Sequence, residues 1–236
     1  MMPRTGRQVT DRIRLIAYGD VLVGELILTP GWTSPGASHA AWWLLALDPG
    51  WMVRVPGILH ICTANRCRSV LAERLMRHAL PGELPVTSAG TRARHGEPIW
   101  PDAAVELDRR GVSSYGFASH PLEAALVRGA DLVLTATRAH RDEVIAAHPA
   151  ALRRTFTWRE LAWLVSEVRR EDLPGRSALE RLAGLAPVVG TRRGRLQPPA
   201  PHLLDVADPV DGPDGAVAAA AAEIERALAP VIALIR

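Results

Sequence analysis

A cysteine and an arginine, Cys62 and Arg68, bracket a short loop in the stretch "HICTANRCRSVLAERL". Backbone N–H groups at the start of a helix attract anions, and the helix dipole adds to that field. A guanidinium can hold two oxygens of a phosphate at once. A cysteine in such a cradle is favoured as the thiolate, the nucleophilic form of the side chain. The spacing therefore predicts a phosphate site in which Cys62 attacks phosphorus and Arg68 stabilises the oxygens in the transition state.

The elements around this loop have the order needed to position it. "GILHIC" is a continuous apolar run, typical of a strand buried on both faces. "SVLAERLMRHAL" has leucines near one helical face, with its charged residues, Glu73 among them, mostly off that face. Ser69 is placed to donate to the thiolate and to help cap this helix. His60, within the strand, is interpreted as packed rather than catalytic.

Strands alternate with helices from residue 56 onwards. Further strands are predicted at "LPVTSAG", "DLVLTAT" and "RTFTW". Helices are predicted at "PDAAVELDRRG", "HPLEAALVRGA", "RAHRDEVIAAHP", "RELAWLVSEVRR" and "SALERLAGL", and from Gly215 to the end. This order is typical of an α/β fold with a parallel sheet and helices on both faces. Ligands bind such sheets at the carboxyl ends of the strands, where the loop after Cys62 lies.

Residues 1–55 differ from the rest and show no clear helical period. The segment "LIAYGDVLVGELILTPG" indicates two short strands around Gly19-Asp20. We expect an N-terminal extension of unknown role, or an incorrectly assigned start with translation beginning at Met52. One domain then covers residues 56–236.

The amino-acid composition excludes several classes of protein. The chain has 236 residues, of which 48% are hydrophobic, so it can bury a substantial core. Its net charge of +3 is too small and too scattered to indicate nucleic-acid binding. Cys62 and Cys67 are the two cysteines of the sequence, which excludes a disulfide framework or a structural zinc site and favours a reduced, cytoplasmic protein. No secretory signal or membrane span is recognisable in the sequence.

Several segments together resemble the low-molecular-weight protein tyrosine phosphatases. "CTANRCRSVLAERL" is similar to the signature of that family, and "TSAGTRARHGEP", "ADLVLTATRAHRDEV" and "DVADP" resemble later parts of it. The resemblance covers residues 58–236. It implies a four-stranded parallel sheet with flanking helices and no metal or cofactor. It also implies hydrolysis of phosphomonoesters, with protein phosphotyrosine as the expected substrate, through a cysteinyl-phosphate intermediate.

The resemblance also assigns roles to particular residues. Cys62 matches the nucleophile, Arg68 the phosphate clamp and Asp208 the general acid. Asn65 matches the residue that holds the shape of the loop, with Ser88 as its hydrogen-bond partner. The remaining substrate-binding positions of the loop are Thr63, Ala64, Arg66, Cys67 and Ser69.

The resemblance gives Ser69 and Cys67 a more specific role, and it gives no catalytic role to the other aspartates near Asp208. Ser69 matches the residue beside the thiolate, and Cys67 matches a second cysteine that can pair reversibly with the nucleophile. The aspartates around Asp208 are interpreted as solvated turn residues: Asp205, Asp211 and Asp214.

The sequence departs from the family pattern around the pocket. Ala64 stands in place of a loop glycine, and Arg66 adds charge at the pocket mouth, which favours acidic substrates. Val210 and Arg94 occupy positions where the family has aromatic residues that enclose a phenol ring. The phosphate chemistry is therefore retained, while the walls that recognise a phenol are not.

These departures leave other functions open. An arsenate reductase of the same fold needs further cysteines for a disulfide relay, and this sequence has none beyond Cys62 and Cys67. A phosphoarginine phosphatase is disfavoured by Arg66, which repels a guanidinium. A phosphopeptide-binding regulator with weakened catalysis is a third alternative. The expected partner is a phosphorylated protein or a small phosphoester, without nucleic acid or membrane, and the oligomeric state is open.

Overall fold

The computed structural model describes residues 12–18, 21–27, 57–80, 82 and 84–236. The chain divides into two compact units, Met1–Arg54 and Val55–Arg236. In the first unit, strands β1 (Arg12–Tyr18) and β2 (Val21–Ile27) pair in antiparallel fashion around Gly19-Asp20, where the sequence predicts two strands. The proposed start at Met52 lies outside the described residues, and the role of residues 1–55 stays a prediction.

The second unit is built on a four-stranded parallel sheet, as expected. Its strands are β3 (Ile58–Cys62), β4 (Val86–Gly90), β5 (Leu132–Thr135) and β6 (Thr155–Thr157), in the spatial order β4-β3-β5-β6. All five residues of β3 are buried, so helices and loops cover both faces of this central strand. The carboxyl ends of β3, β4 and β5 lie side by side, since Cys62 pairs with Gly90 and Ile61 with Thr135.

Seven α-helices are described in the second unit. They are α1 (Arg68–Ala79), α2 (Pro101–Arg109), α3 (Ala124–Gly129), α4 (Arg138–Ala147), α5 (Trp158–Leu164), α6 (Ala178–Gly190) and α7 (Ala216–Ile235). Short 3₁₀ helices cover Pro149–Arg154, Arg170–Asp172 and Pro201–Leu204. Among the described residues, none of the helices has the length and apolar character that a membrane span requires.

Local sequence explains where several helices begin and how they pack. The Thr137 hydroxyl accepts from the His140 N–H at the start of α4, and Thr157 and Glu160 form a capping box at the start of α5. Apolar side chains of α1 and α7 pack on each other in the same core, with Leu71 and Ile224 fully buried.

Three helices differ in length from the sequence prediction. The helix predicted at "HPLEAALVRGA" is confined to α3, because Pro121 pairs beside Gly90 and keeps the preceding residues extended. α5 ends early, where the Ser166 hydroxyl donates to the Trp163 carbonyl in place of a helical bond. α6 extends past the predicted segment because Val189 continues its buried face.

Candidate active site

The predicted phosphate loop, residues 62–69, connects β3 directly to α1. Cys62 is the last residue of β3 and Arg68 the first of α1. The loop turns at Asn65, whose φ of 53° lies in the left-handed region that asparagine tolerates. No side chain caps α1, so the expectation that Ser69 helps to cap it is wrong, and the first N–H groups of the helix remain available to an anion. The strand–loop–helix order predicted from the sequence is therefore present.

The Cys62 thiol is buried next to the hydroxyl group of Ser69. Its Sγ lies 3.0 Å from the Ser69 Oγ. The Asn65 Nδ2 donates to the same Ser69 oxygen at 3.0 Å, so the Ser69 proton is free to point at the sulfur. Asn65 also donates to the Ser88 Oγ at 2.8 Å, as the family resemblance implies. These contacts place Asn65, Ser69 and Ser88 in one network that ends on the Cys62 sulfur.

The other end of this network is Glu73, which the sequence analysis placed off the buried face of its helix. That expectation is wrong: Glu73 is only 6% exposed, and its carboxylate accepts from the Ser88 hydroxyl. Burial raises the pKa of Glu73, while the hydrogen bond from Ser88 and the charges of Arg74 and Arg77 act in the opposite direction. A carboxylate can stay at this depth because it has a hydrogen-bond donor and basic neighbours.

Arg68 links the loop to the segment that bears the candidate acid. Its side chain is 4% exposed; NH1 donates to the Val206 carbonyl at 3.1 Å, and NH2 lies 3.4 Å from the Thr63 Oγ1. NH2 also donates to the Asp208 carboxylate. The Asp208 side chain is half exposed, so it lies at the mouth of the site with one oxygen on Arg68. The structure thus brings Cys62, Arg68 and Asp208 to the same edge of the sheet.

A histidine that the sequence analysis did not single out lies behind Thr63. His140 Nε2 is 2.9 Å from the Thr63 Oγ1, and Nδ1 is 2.7 Å from the Thr137 Oγ1. Burial, followed by the positive charge of Arg68, lowers the pKa of His140 to about 4. The neutral ring can therefore accept the Thr63 proton, which leaves the Thr63 oxygen for Arg68. The available sequence signal was a histidine in the first turn of a helix that follows a strand end.

The rim of the site combines Arg66 with a tryptophan. Ala64 is exposed on the loop, and the Arg66 guanidinium lies 5.4 Å from the centre of the Trp100 ring. Arg66 Nε donates to the Pro98 carbonyl at 2.8 Å, and NH1 is 3.7 Å from the Glu97 carboxylate. The charge of Arg66 is thus held at the rim, and Trp100 supplies an aromatic surface there that the sequence analysis missed.

A cavity opens beside this rim. It measures about 450 Å³ and is bounded by Trp100 and by Pro209, the residue after Asp208. Arg94, at one of the lost aromatic positions, is exposed.

The remaining residues singled out in the sequence are the second cysteine of the loop and the three aspartates near Asp208. Cys67 is buried, and desolvation together with the neighbouring Cys62 raises the pKa of its thiol to about 12, so it is protonated at neutral pH. Both cysteines are free. Asp211 and Asp214 are exposed, in agreement with the sequence analysis. Asp205 is not a solvated turn residue, because its carboxylate binds Arg138.

His60 is packed in the core, as expected. It is fully buried and its Nδ1 accepts from the Trp158 indole N–H at 3.0 Å. Burial lowers its pKa to about 3. Within the described part of the chain, no three or more histidine, cysteine, aspartate or glutamate side chains are grouped so that they could hold a metal ion.

A cysteine and an arginine that share one loop at the end of a central parallel strand define the class of cysteine-dependent phosphatases. A family model for "Low molecular weight phosphotyrosine protein phosphatase" matches residues 57–173. The probable low molecular weight protein-tyrosine-phosphatase EpsP of Ralstonia solanacearum is 36% identical over 104 residues, which are 44% of this chain and 71% of the relative. The protein-tyrosine-phosphatase Etp of Escherichia coli is 37% identical over 107 residues, 45% of this chain and 70% of the relative.

A solved structure agrees with these sequence matches. The YwlE arginine phosphatase from Geobacillus stearothermophilus is 26% identical, with a TM-score of 0.54 over 75% of this chain and 90% of that chain. The chain therefore belongs to the low molecular weight protein-tyrosine-phosphatase family. The family match ends at residue 173, so it does not extend to Asp208, whose placement rests on the contact with Arg68.

Proposed function

We propose that this protein is a cytoplasmic phosphatase that hydrolyses phosphotyrosine in proteins, with Cys62 as nucleophile, Arg68 as phosphate clamp and Asp208 as general acid. The observation that carries the proposal is the double contact of Arg68. Its guanidinium reaches Thr63 in the cysteine loop and Asp208 in a distant segment. Two free, buried thiols suit a reducing compartment.

In the first step, the Cys62 thiolate attacks phosphorus and the bond from phosphorus to the leaving oxygen breaks. Asp208 gives its proton to that oxygen, so the alcohol leaves neutral. Arg68 and the N–H groups at the start of α1 neutralise the charge on the phosphoryl oxygens. The Ser69 hydroxyl donates to the sulfur and stabilises it as the thiolate.

In the second step, water attacks phosphorus in the cysteinyl-phosphate and the S–P bond breaks. The Asp208 carboxylate takes a proton from the water, and Cys62 leaves as the thiolate. Phosphate is released and the enzyme returns to its starting protonation state. Neither step needs an oxidant or a further thiol.

The residues at the rim of the site favour phosphotyrosine over phosphoarginine as the substrate. Relatives of both kinds are known, a protein-tyrosine-phosphatase in Escherichia coli and an arginine phosphatase in Geobacillus stearothermophilus. In this chain Arg66 places a positive charge at the rim, which repels the guanidinium of phosphoarginine. Trp100, which borders the cavity beside the rim, supplies an aromatic surface for a phenol ring.

Two other functions receive less support. Arsenate reduction through a disulfide relay needs a third cysteine, and the sequence has two. A regulator that only binds phosphate has no need of an acid, whereas here Asp208 lies on the phosphate clamp. A regulator of this kind would bind phosphopeptides tightly without hydrolysing them, and that result would favour this alternative.

The test compares phosphate release from matched phosphotyrosyl, phosphoseryl and phosphoarginyl peptides. We expect turnover mainly with phosphotyrosine. Asp208→Asn should slow hydrolysis of esters with poor leaving groups by about 10²–10⁴-fold and have less effect with an activated aryl phosphate. Asp214→Asn, an exposed carboxylate of the same loop, is the matched control and should leave both rates unchanged. Equal effects of Asp208→Asn on good and poor leaving groups would show that Asp208 is not the acid.

A further inference from the structure

Three consecutive residues before Asp208 are fastened to the carboxyl edge of the sheet. The Leu204 carbonyl accepts from the Thr157 hydroxyl at 2.7 Å, where β6 ends. The Val206 N–H donates to the Ala136 carbonyl at 2.8 Å, just beyond β5. Between them, the Asp205 side chain binds α4. We call residues 204–206 the clasp.

Asp205 is the member of the clasp that acts through its side chain. Its Oδ1 accepts from the Arg138 backbone N–H at 2.7 Å, at the first residue of α4. The Arg138 guanidinium donates to the same carboxylate from Nε at 3.2 Å and from NH2 at 3.0 Å. A carboxylate at a helix N-terminus with a two-pronged arginine contact has a fixed orientation.

Beyond the clasp, exposed side chains alternate with buried ones. The Val206 carbonyl still accepts from Arg68, but Asp208 and Asp211 are exposed, and Asp211 has a φ of 62°. The position of the Asp208 carboxylate is therefore set by Arg68, by the Val210 N–H that donates to its Oδ1 at 3.3 Å, and by the one-residue link to the clasp.

From these contacts we infer that Asp205, paired with Arg138, is a positioning residue that fixes the general acid Asp208 over the phosphate site. The inference rests on the proposed role of Asp208. Asp205 touches no substrate and moves no proton itself. It determines where the chain leaves the sheet edge, and general-acid catalysis is sensitive to displacements well below the length of a hydrogen bond.

A purely structural role for the pair makes a different prediction. The Arg138 and Asp205 side chains are 35% and 27% exposed, and ion pairs of that kind contribute little to global stability. If the pair only stabilised α4, its loss would lower the amount of folded enzyme and slow all substrates equally. If it positions Asp208, its loss should slow only the reactions that need the acid.

The experiment uses the full chain with Asp205→Asn, Asp208→Asn and the double variant. Rates are measured with phenyl phosphate, a poor leaving group, and para-nitrophenyl phosphate, an activated one; vanadate inhibition reports the phosphate site. Arg138→Met is a second variant that removes the ion pair but keeps the backbone N–H bond to Asp205. Asp142→Asn is the matched control, since Asp142 pairs with Arg141 on α4 away from the clasp.

We expect Asp205→Asn to lower kcat for phenyl phosphate by about tenfold and for para-nitrophenyl phosphate by less than about twofold. Arg138→Met should show the same selectivity, vanadate inhibition should stay unchanged, and Asp142→Asn should match the unaltered enzyme. The double variant should be no slower than Asp208→Asn alone, because both changes act on one group.

Two results overturn the inference while the proposed role of Asp208 stands, and a third overturns both. If Asp208→Asn discriminates between the two substrates and Asp205→Asn does not, the clasp has no positioning role. The same holds if the losses from Asp205→Asn and Asp208→Asn multiply in the double variant. If Asp208→Asn itself does not discriminate, the acid assignment is wrong and the inference is overturned with it.

Discussion

Replacing Gly90 by alanine places one methyl group between β4 and the phosphate loop. Gly90 ends β4, and a Cβ at this position would lie 2.5 Å from the Thr63 carbonyl oxygen and 2.7 Å from the Asn65 nitrogen. Both neighbours are backbone atoms of the loop, so no side chain can rotate away. The substitution therefore tests whether the position of the loop determines catalysis.

The geometry sets the size of the effect. Ordinary van der Waals contacts of a Cβ begin at 3.4 Å, so the strand and the loop must separate by about 0.9 Å. The separation strains the hydrogen bonds from Thr91 N–H to the Cys62 carbonyl and from Arg92 N–H to the Thr63 carbonyl. Crowding of this kind costs about 1–3 kcal/mol of unfolding free energy. A displacement near 1 Å in a catalytic group can cost about 10²-fold in rate, so we expect kcat to fall by about 10- to 100-fold.

Two other glycines provide matched controls. A Cβ on Gly57, just before β3, meets the Pro85 carbonyl oxygen, again a backbone atom, at the opposite end of the strand from Cys62. Gly57→Ala should therefore lower stability by a similar amount with kcat within about twofold of the unaltered enzyme. Gly190→Ala adds a methyl group to open space on α6, so it should leave kcat unchanged and raise the unfolding free energy by about 0.5–1 kcal/mol, as an alanine does in a helix. The assay combines urea unfolding with kcat per folded molecule.

The dependence of catalysis on the position of the phosphate loop is refuted if Gly90→Ala keeps full kcat and full vanadate affinity. It is also refuted if Gly57→Ala and Gly90→Ala reduce kcat per folded molecule equally, because the effect would then come from general destabilisation.

Three further predictions concern stability, oxidation and the N-terminal region. Burial lowers the pKa of His60 from 6.5 to about 3 and the pKa of His140 from 6.5 to about 4. Below pH 6.5 the unfolded chain therefore binds protons at these two histidines, whereas the folded chain binds them only at a much lower pH. Each histidine should lower the unfolding free energy by about 2 kcal/mol between pH 7.5 and pH 5, and urea titrations that show equal stability at both pH values would contradict this. Mild peroxide should inactivate the enzyme reversibly through a disulfide between Cys62 and Cys67; irreversible oxidation of Cys62 with Cys67 left free, seen by mass spectrometry, would refute it. Removal of residues 1–51 should leave folding and activity largely intact, since the family match begins at residue 57, and loss of cooperative unfolding would overturn that expectation.

The sequence predicts the two central strands of the sheet, β3 and β5, well because both are nearly continuous apolar runs. β3 and β5 are buried along their whole length, so the pattern alone identifies them. Helix ends were less predictable. The early end of α5 depends on a hydrogen bond from the Ser166 hydroxyl to the Trp163 carbonyl, a local competition that residue periodicity does not report.

The residues of the site also differ in how far the sequence predicts them. Cys62 and Arg68 belong to one continuous segment, so their spacing already indicates their chemistry. Glu73, His140 and Asp205 act through contacts across the fold, with Ser88, Thr63 and Arg138. From the sequence alone, the buried carboxylate of Glu73 on α1 looks like a solvated one, because its hydrogen-bond donor, Ser88, lies on β4 and is distant in sequence.

The central claim, that Cys62 forms a covalent bond to phosphorus, is tested most directly by trapping the intermediate. The enzyme is mixed with an excess of para-nitrophenyl phosphate, quenched within the first turnover and mapped by mass spectrometry. The account predicts a burst of about one nitrophenol per enzyme, with phosphate on Cys62, none on Cys67, and no burst in Cys62→Ser. Phosphate release at an unchanged rate by Cys62→Ser, or a phosphoryl group found on another residue, would contradict it.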